Sequence, residues 1–284
     1  MSGHGAPTPA AVETRRRFLR RSGLLAAIVP AAAAIDGLLV TPRRLVTSDI
    51  SSGTGLTGDR LLVAQVSDLH VQRIGEVERR LLEALHATAA DVIVITGDAL
   101  DRADRLPVLD RLLGDFPRGP RTLAILGNWE YRCRVDLAAL DRTYRRHGIE
   151  LLVNRSVEVT QHGGRARITG LDDLIGGRPD ARAALVTAAP LPGHLVLAHC
   201  PVTRDALALP SEQEASLMLA GHTHGGQVAP FGLATVLPPG CGRYVAGWYR
   251  DGGPPMYVSR GIGTSLVPVR IGATPELVRL DWRP

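Results

Sequence analysis

The sequence predicts an α/β fold. From about Arg60 onward, short apolar runs rich in β-branched residues alternate with segments of helical periodicity. Asp, Asn and His residues also fall just past the ends of successive apolar runs. Ligands in α/β sheets bind at the carboxyl ends of strands, so this second pattern predicts a site along one sheet edge.

Residues 61–66 are an apolar run closed by Ser67 and Asp68. Residues 75–90 carry Leu81, Leu82 and Leu85 on one face with charges opposite, which predicts an amphipathic helix. Residues 91–95 are a β-branched run, closed by Thr96-Gly97-Asp98. A helix is expected over 103–114, a strand over 122–126 and a helix over 136–147. Such alternation favours buried, largely parallel strands. Beyond Ile149, residues 151–160 and 165–171 predict two strands of a hairpin that turns at Gly163-Gly164. A helix follows near 180–187, with strands at 194–198, 216–220, 256–259 and 276–282. The stretch 225–269 is rich in Gly and Pro. No internal repeat or long linker interrupts this pattern, so residues 41–284 are expected to form one domain.

Composition narrows the chemistry. The chain has 284 residues, 45% hydrophobic and 21% charged, enough for a sizeable core. All 33 basic residues are arginine, which excludes a Schiff-base lysine and a P-loop lysine. The net charge is +5, but Arg15, Arg16, Arg17, Arg20 and Arg21 stand near the start against only Glu13 and Asp36. The remaining chain is close to neutral, and no basic run is interleaved with aromatics, so no nucleic-acid partner is expected. Cys133, Cys200 and Cys241 are too few and too scattered for a disulfide framework, and the odd number leaves at least one free thiol.

Residues 1–40 read as an address. Thr14-Arg15-Arg16-Arg17-Phe18-Leu19-Arg20 resembles the twin-arginine export signal. An apolar stretch over 24–40 follows, broken by Pro30 and Asp36, with small residues at Ala32, Ala33 and Ala34. The expectation is passage through the twin-arginine export machinery to the cell envelope. An uncut membrane anchor is the alternative, since about 17 residues is the short limit for a span.

The chemistry gathers at strand ends. Asp68 and His70 follow the first run, Asp98 the next, Asn128 the third, His199 the fourth, and His222 and His224 the fifth. Asp68/His70 and His222/His224 are i, i+2 pairs, whose side chains point the same way if the chain stays extended. Gly97, Gly127 and Gly221 sit beside these residues, where a tight turn must leave the strand. Asp, Asn and His suit Zn, Mn or Fe. A bridging carboxylate would let seven side chains serve two ions about 3.5–4 Å apart.

Asp68-Leu69-His70, Gly97-Asp98, Gly127-Asn128, His199 and Gly221-His222-Thr223-His224 resemble, in order, the motifs of the calcineurin-like metallophosphoesterase superfamily. Residues 257–265, Gly225-Gly226-Gln227 and Gly170-Leu171-Asp172-Asp173 are similar to a bacterial exported or membrane-attached branch of it. The resemblance implies a four-layer αββα sandwich binding two divalent ions. It implies one ion on Asp68, His70, Asp98 and His224, and a second on Asp98, Asn128, His199 and His222, with Asp98 bridging. It further implies hydrolysis of phosphate esters by a metal-bridging hydroxide that attacks phosphorus. Phosphodiesters, nucleotide-linked pyrophosphates and envelope lipids are the substrate classes it leaves open.

One position departs from the pattern. The family usually has His after the Asn, where this chain has Trp129. Indole cannot protonate a leaving group, although its N–H can donate a hydrogen bond. Substrates with acidic leaving groups are therefore expected to be preferred. Arg260, between Ser259 and Gly261, is a candidate to hold a substrate phosphate, or it sits in a tight glycine loop. Glu130 is expected to support the ligands rather than act as a base, and Asp172 and Asp173 line the pocket or make a turn. His4, His86, His147, His162 and His194 are read as structural or surface residues, and Cys200 as a buried filler. Two other functions stay open. One is a binding protein that kept the metals and lost the chemistry. The other is a metal-dependent amidohydrolase, although such enzymes commonly open with His-X-His on a barrel strand and this chain opens with Asp-X-His.

Overall fold

A computed structural model describes residues 35–53, 60–161, 164–186, 193–206, 214–234 and 236–283, with Ala189, Leu191 and Leu209. The strands among them form two six-stranded open sheets. In the first, β2 (Leu61–Val66), β3 (Val92–Thr96), β4 (Arg121–Ile125) and β5 (Ile149–Leu151) run parallel in that order. Beside β2 lies β12 (Glu276–Arg283), antiparallel to it, and outside that β1 (Val46–Gly53), parallel to β12. The second sheet has order β10 (Gly247–Tyr249), β11 (Met256–Val258), β9 (Leu217–Ala220), β8 (Gly193–Leu197), β7 (Gly164–Gly170) and β6 (Arg155–Gln161). Its inner four strands are parallel and the outer two antiparallel to their neighbours.

Period-two alternation sorts the side chains of each strand between two cores. In β2, Leu61 and Val63 face the second sheet and share a core with its Ile168, Leu197 and Leu219, beside Trp282 of β12. Ala64 and Val66 face the other way, onto helices. Those helices are α1 (Glu76–Thr88), α2 (Leu106–Gly114) and, after the short α3 (Asn128–Arg132), α4 (Leu137–Arg146). Their leucines Leu81, Leu85, Leu109, Leu112 and Leu140 close the first core. Each such leucine contributes about 1.5–3 kcal/mol by leaving water. The outer face of the second sheet carries Val196, Met218 and Val258, covered by α5 (Ala181–Leu185) through Leu185 and by Tyr244. The result is the four-layer αββα sandwich, with a thin fourth layer. Gln65 ties the sheets together, donating to Thr96 Oγ1 (3.0 Å) and to the Ala220 carbonyl (2.9 Å).

Local chemistry sets the element ends. Glu78 Oε2 accepts from the Gly75 N–H (2.8 Å) at the start of α1, and Ala89 turns left-handed (φ 48°) at its end. Asp136 Oδ1 caps α4 through the Ala138 N–H (2.9 Å). Three features depart from the sequence-based expectation. β1 was not anticipated, because its sequence VTSDISSG holds only two large apolar residues and it is an outer strand. The run over 151–160 divides, β5 joining the first sheet and β6 the second, because Asn154 (φ 49°) turns the chain between them. The address segment also meets the domain inside its expected boundary: the Arg270 N–H donates to the Gly37 carbonyl (2.9 Å). No helix among the described residues is long and apolar enough to cross a membrane.

Candidate active site

Five strand ends deliver the ligand candidates to one edge where the two sheets meet. Asp68 and His70 leave β2, Asp98 leaves β3 and Asn128 opens α3 after β4. His199 follows β8, and His222 and His224 follow β9. The i, i+2 pairs do not stay extended. Asp68 (φ 51°), His70 (41°), Asp98 (52°), His222 (73°) and His224 (51°) all occupy the left-handed region. Asp and His enter that region more readily than most residues, at a cost of order 1–3 kcal/mol each. The turned backbone is pinned by the Asp68 N–H on the Gly97 carbonyl (3.1 Å) and the His70 N–H on the Asp98 carbonyl (3.0 Å). A Cβ at Gly127 would collide with Asp98 Oδ1, and one at Gly221 with Ser67 Oγ. Glycine is what lets these backbones approach the carboxylates.

The side chains converge in two groups, Asp68, His70 and His224 in one and Asp98, His199 and His222 in the other, all buried. In the first, His70 Nε2 lies 3.1 Å from His224 Nε2, which is 3.5 Å from Asp68 Oδ1. In the second, His199 Nε2 is 3.1 Å from Asp98 Oδ2, 3.2 Å from His222 Nδ1 and 3.1 Å from Asn128 Oδ1. Asp98 Oδ2 is also 3.5 Å from His70 Nε2, so a single oxygen faces both groups.

The partners of the far ring nitrogens decide what the near ones can do. His199 Nδ1 faces the Thr96 carbonyl (2.9 Å) and His222 Nε2 the Pro239 carbonyl (2.6 Å). A carbonyl only accepts, so those nitrogens carry the protons and the inward ones present lone pairs. Lone pairs of His199, His222, Asp98 and Asn128 thus crowd one point at hydrogen-bond distance. Only a cation or an added proton relieves that repulsion. This donor set fits a divalent metal, with the carbonyls orienting the rings.

The charges agree. Burial pushes His70, His222 and His224 below their ordinary range, keeping them neutral. Burial also opposes charge on His199, but Asp98, by charge and by hydrogen bond, and then Asp68 outweigh it and hold the imidazole well above its ordinary range. Burial raises Asp68, whereas His199 and His70 overcome burial at Asp98 and lower it.

A family model described as calcineurin-like phosphoesterase matches residues 61–226, which hold all seven of these side chains. The chain belongs to that family. This metallophosphoesterase is 28% identical over 288 residues to metallophosphoesterase YkuE of Bacillus subtilis, covering 93% of this chain and 96% of YkuE. It is 29% identical over 195 residues to phosphodiesterase YaeI of Escherichia coli, covering 67% of this chain and 70% of YaeI. Among solved structures, phosphopantetheinyl hydrolase from Mycobacterium tuberculosis aligns at a TM-score of 0.46 and 15% identity, across 76% of this chain and 96% of that one. The protein is a metal-dependent phosphoesterase.

Around the ligands of the metallophosphoesterase, two buried ionic groups hold the loops. Glu130, in the first turn of α3, accepts backbone N–H bonds from Gly127 (2.8 Å), Asp98 (3.1 Å), Ala99 (2.7 Å) and Leu100 (3.2 Å). It supports the loops of the ligand candidates from within the core and does not line the cavity. Burial and the Asp98 charge push its carboxyl up to about 8, against the pull of these donors. Arg270, fully buried, places its Nη2 3.1 Å from His224 Nδ1 and donates to the carbonyls of Gly263, Arg260 and Ala273. Local sequence does not signal this role, because Arg270 stands among Val, Pro and Ile just past the Gly- and Pro-rich stretch, with no acidic neighbour to mark a buried site.

Arg260 is turned away from the metal groups. It pairs with Glu276 (3.1 Å) and donates to the Thr274 carbonyl (3.1 Å). Asp172 accepts from Tyr131 (2.5 Å), and Asp173 from the Ile175 and Gly176 N–H groups and from Cys200 Sγ (3.2 Å), so this pair builds a turn. His194 bonds Thr169, His147 bonds Asp110 and His86 faces the Asp115 carbonyl, all away from the site. His4 and His162 lie outside the described residues. A cavity of about 730 Å³ opens above the ligands. Trp129 forms part of its wall, its ring edge-on to His70 (5.8 Å) and covered by the Arg132 guanidinium at 4.4 Å.

Proposed function

We propose that this metallophosphoesterase hydrolyses phosphodiesters or pyrophosphates with acidic leaving groups, using two Mn, Zn or Fe ions. The observation that carries this reading is the pair of ligand groups joined through Asp98 Oδ2, beside a cavity wall where, among the described residues, Trp129 stands in the place of a histidine acid. One ion would sit on Asp68, His70, Asp98 and His224, the other on Asp98, Asn128, His199 and His222. Bound there, divalent ions supply an activated water and neutralise charge on the phosphoryl oxygens.

The chain's own groups set the rest. The Trp129 backbone N–H donates to Asp98 Oδ1 (2.8 Å), which leaves Oδ2 facing both groups. Arg132 holds a cationic fork at the cavity for an anionic phosphate oxygen. Tyr131 also lines the cavity, but burial and its bond to Asp172 raise its hydroxyl above its ordinary range. With the histidines committed to metal and the Tyr131 hydroxyl proton donated to Asp172 Oδ1 (2.5 Å), the described residues of the wall offer a departing alkoxide no free general acid. Esters of phenols and phosphoric anhydrides leave as stable anions and do not need one.

The twin-arginine motif at 14–20 and the apolar stretch after it support action in the cell envelope, with the export machinery as a transient partner. The test is hydrolysis of aryl and alkyl phosphodiesters and an aryl monoester by the Mn, Zn and Fe forms, against Asp98→Ala. Aryl diesters turned over fastest, with loss in the variant, support the reading. Equal rates on alkyl and aryl diesters would sink the leaving-group argument. Two bound metals with no turnover would favour a binding role.

A further inference from the structure

We propose that the mouth of the active-site cavity is a lipid-docking surface, where three apolar segments enter a bilayer and the cavity receives the phosphoester headgroup of a lipid. The headgroup assignment rests on the phosphoesterase reading above. The docking does not.

The first segment holds Phe231, Leu233 and Val236, which are 101%, 72% and 78% exposed. The second holds Leu266, 77% exposed, and Val267, also exposed. The third is the start of the described chain, with Ile35, Leu38, Leu39 and Val40 exposed. Hydrogen bonds place them side by side. The Arg270 N–H donates to the Gly37 carbonyl, and the Ala229 N–H to the Ile271 carbonyl (2.7 Å). Gln227 Nε2 reaches the carbonyls of Ser265 and Val267, each at 3.0 Å. The patch is continuous with the cavity, because Val236, Leu266 and Val267 also line it.

Exposed loops are ordinarily polar, and these are not. Residues 225–239 contain no charged side chain, and residues 261–275 contain one, the buried Arg270. A contiguous exposed apolar patch of this kind marks an interaction surface. What covers it follows from the chain that leads into it. Upstream of Ile35 the sequence is apolar back to Leu24, and the described end of this stretch, residues 35–40, lies on this same face. The shape agrees. Phe231 stands on a tight turn (φ 57°), a separate projecting tip. A bilayer accepts separate tips, whereas a protein partner needs a complementary packed surface. Arg132 in the cavity wall supplies the cation that an anionic headgroup pairs with.

The experiment uses the metal-loaded full-length chain and vesicles of phosphatidylglycerol and phosphatidylcholine. Phe231→Trp and Leu266→Trp place reporters in the patch. Val186→Trp, exposed beside α5, is the control. Each added emission is read as the difference from the parent. The expected result is a blue shift with vesicles and quenching by brominated lipid at the two patch positions only. Water-like emission at both while the protein floats with the vesicles overturns docking. So does a blue shift without lipid, which would mean that a second copy covers the patch. The double variant Phe231→Ser/Leu233→Ser is expected to lose at least about tenfold of phospholipid hydrolysis in vesicles and keep hydrolysis of a soluble aryl phosphodiester. Equal loss on both substrates overturns the proposal. If the parent hydrolyses neither, the phosphoesterase reading fails while the emission data still decide the docking.

Discussion

Glu130 ties together two of the loops that carry ligand candidates. One carboxylate takes four backbone N–H groups from the two loops that carry Asp98 and Asn128. Glutamine in its place keeps one acceptor oxygen but turns an NH2 toward N–H donors, which opens the loops. Glu130→Gln is therefore expected to weaken metal binding about 10–100-fold. Metal titration followed by calorimetry checks it, with unchanged circular dichroism as the control for folding. At the neighbouring position, Trp129→His would restore a group able to donate a proton. A general acid contributes about 10²–10⁴-fold, and most to poor leaving groups. The variant should raise turnover of alkyl phosphodiesters well above any gain on aryl ones, and equal gains would sink the idea. The side chains that the structure gathers into two groups were legible because each stands within a few residues of the end of an apolar run. The arginines were not. Arg260, between Ser259 and Gly261, was a candidate for a substrate phosphate, yet it pairs with Glu276, while Arg270, set among Val, Pro and Ile, is the one beside His224. Which buried carbonyls a guanidinium will meet depends on loops that local pattern does not place.

Elements read most clearly where both faces of a strand are buried. β2 matches its expected bounds residue for residue, since nearly every position is apolar. β1 escaped because an outer strand needs few apolar residues. The division of β5 from β6 escaped because it rests on one side chain. Asn154 Oδ1 accepts from the Asp172 N–H (3.0 Å) and the Asp180 N–H (2.9 Å), and its Nδ2 donates to the Arg178 carbonyl (2.7 Å). Asn also tolerates the left-handed backbone that sends the chain from one sheet to the other. Asn154→Ala is expected to cost about 1–3 kcal/mol through the unpaired N–H groups and the strained turn. Chemical denaturation should show a lower midpoint at unchanged slope. Asn154→Gly should recover only the backbone share. A neutral Asn154→Ala would mean that the flanking strands, not this residue, direct the crossing.

At the scale of the molecule, the metal groups join the two sheets. Asp68, His70, Asp98 and Asn128 come from the first sheet, His199, His222 and His224 from the second, and each group draws on both. Bound ions should therefore stabilise the whole sandwich, by about 2.7 kcal/mol when free metal is a hundred times its Kd. The pH dependence follows from His199, whose pKa stands well above its ordinary value in the metal-free protein. A raised folded-state pKa gives the metal-free protein stability that is fully present below about pH 6.5 and is lost as pH rises through the folded value. Metal must displace that same proton, so its affinity rises about tenfold per pH unit until the folded pKa is passed. Both statements describe the same proton: above about pH 6.5 the chelated protein loses stability as pH rises, while the loaded protein, whose His199 carries no such proton folded or unfolded, holds level. The gap in Tm between metal-loaded and chelated protein should thus be wider at pH 8 than at pH 6. Thermal unfolding with and without chelator at the two values measures it. A gap that stays constant or narrows would show that His199 carries no displaceable proton, and that the Asp98 carboxylate meets the metal without competition.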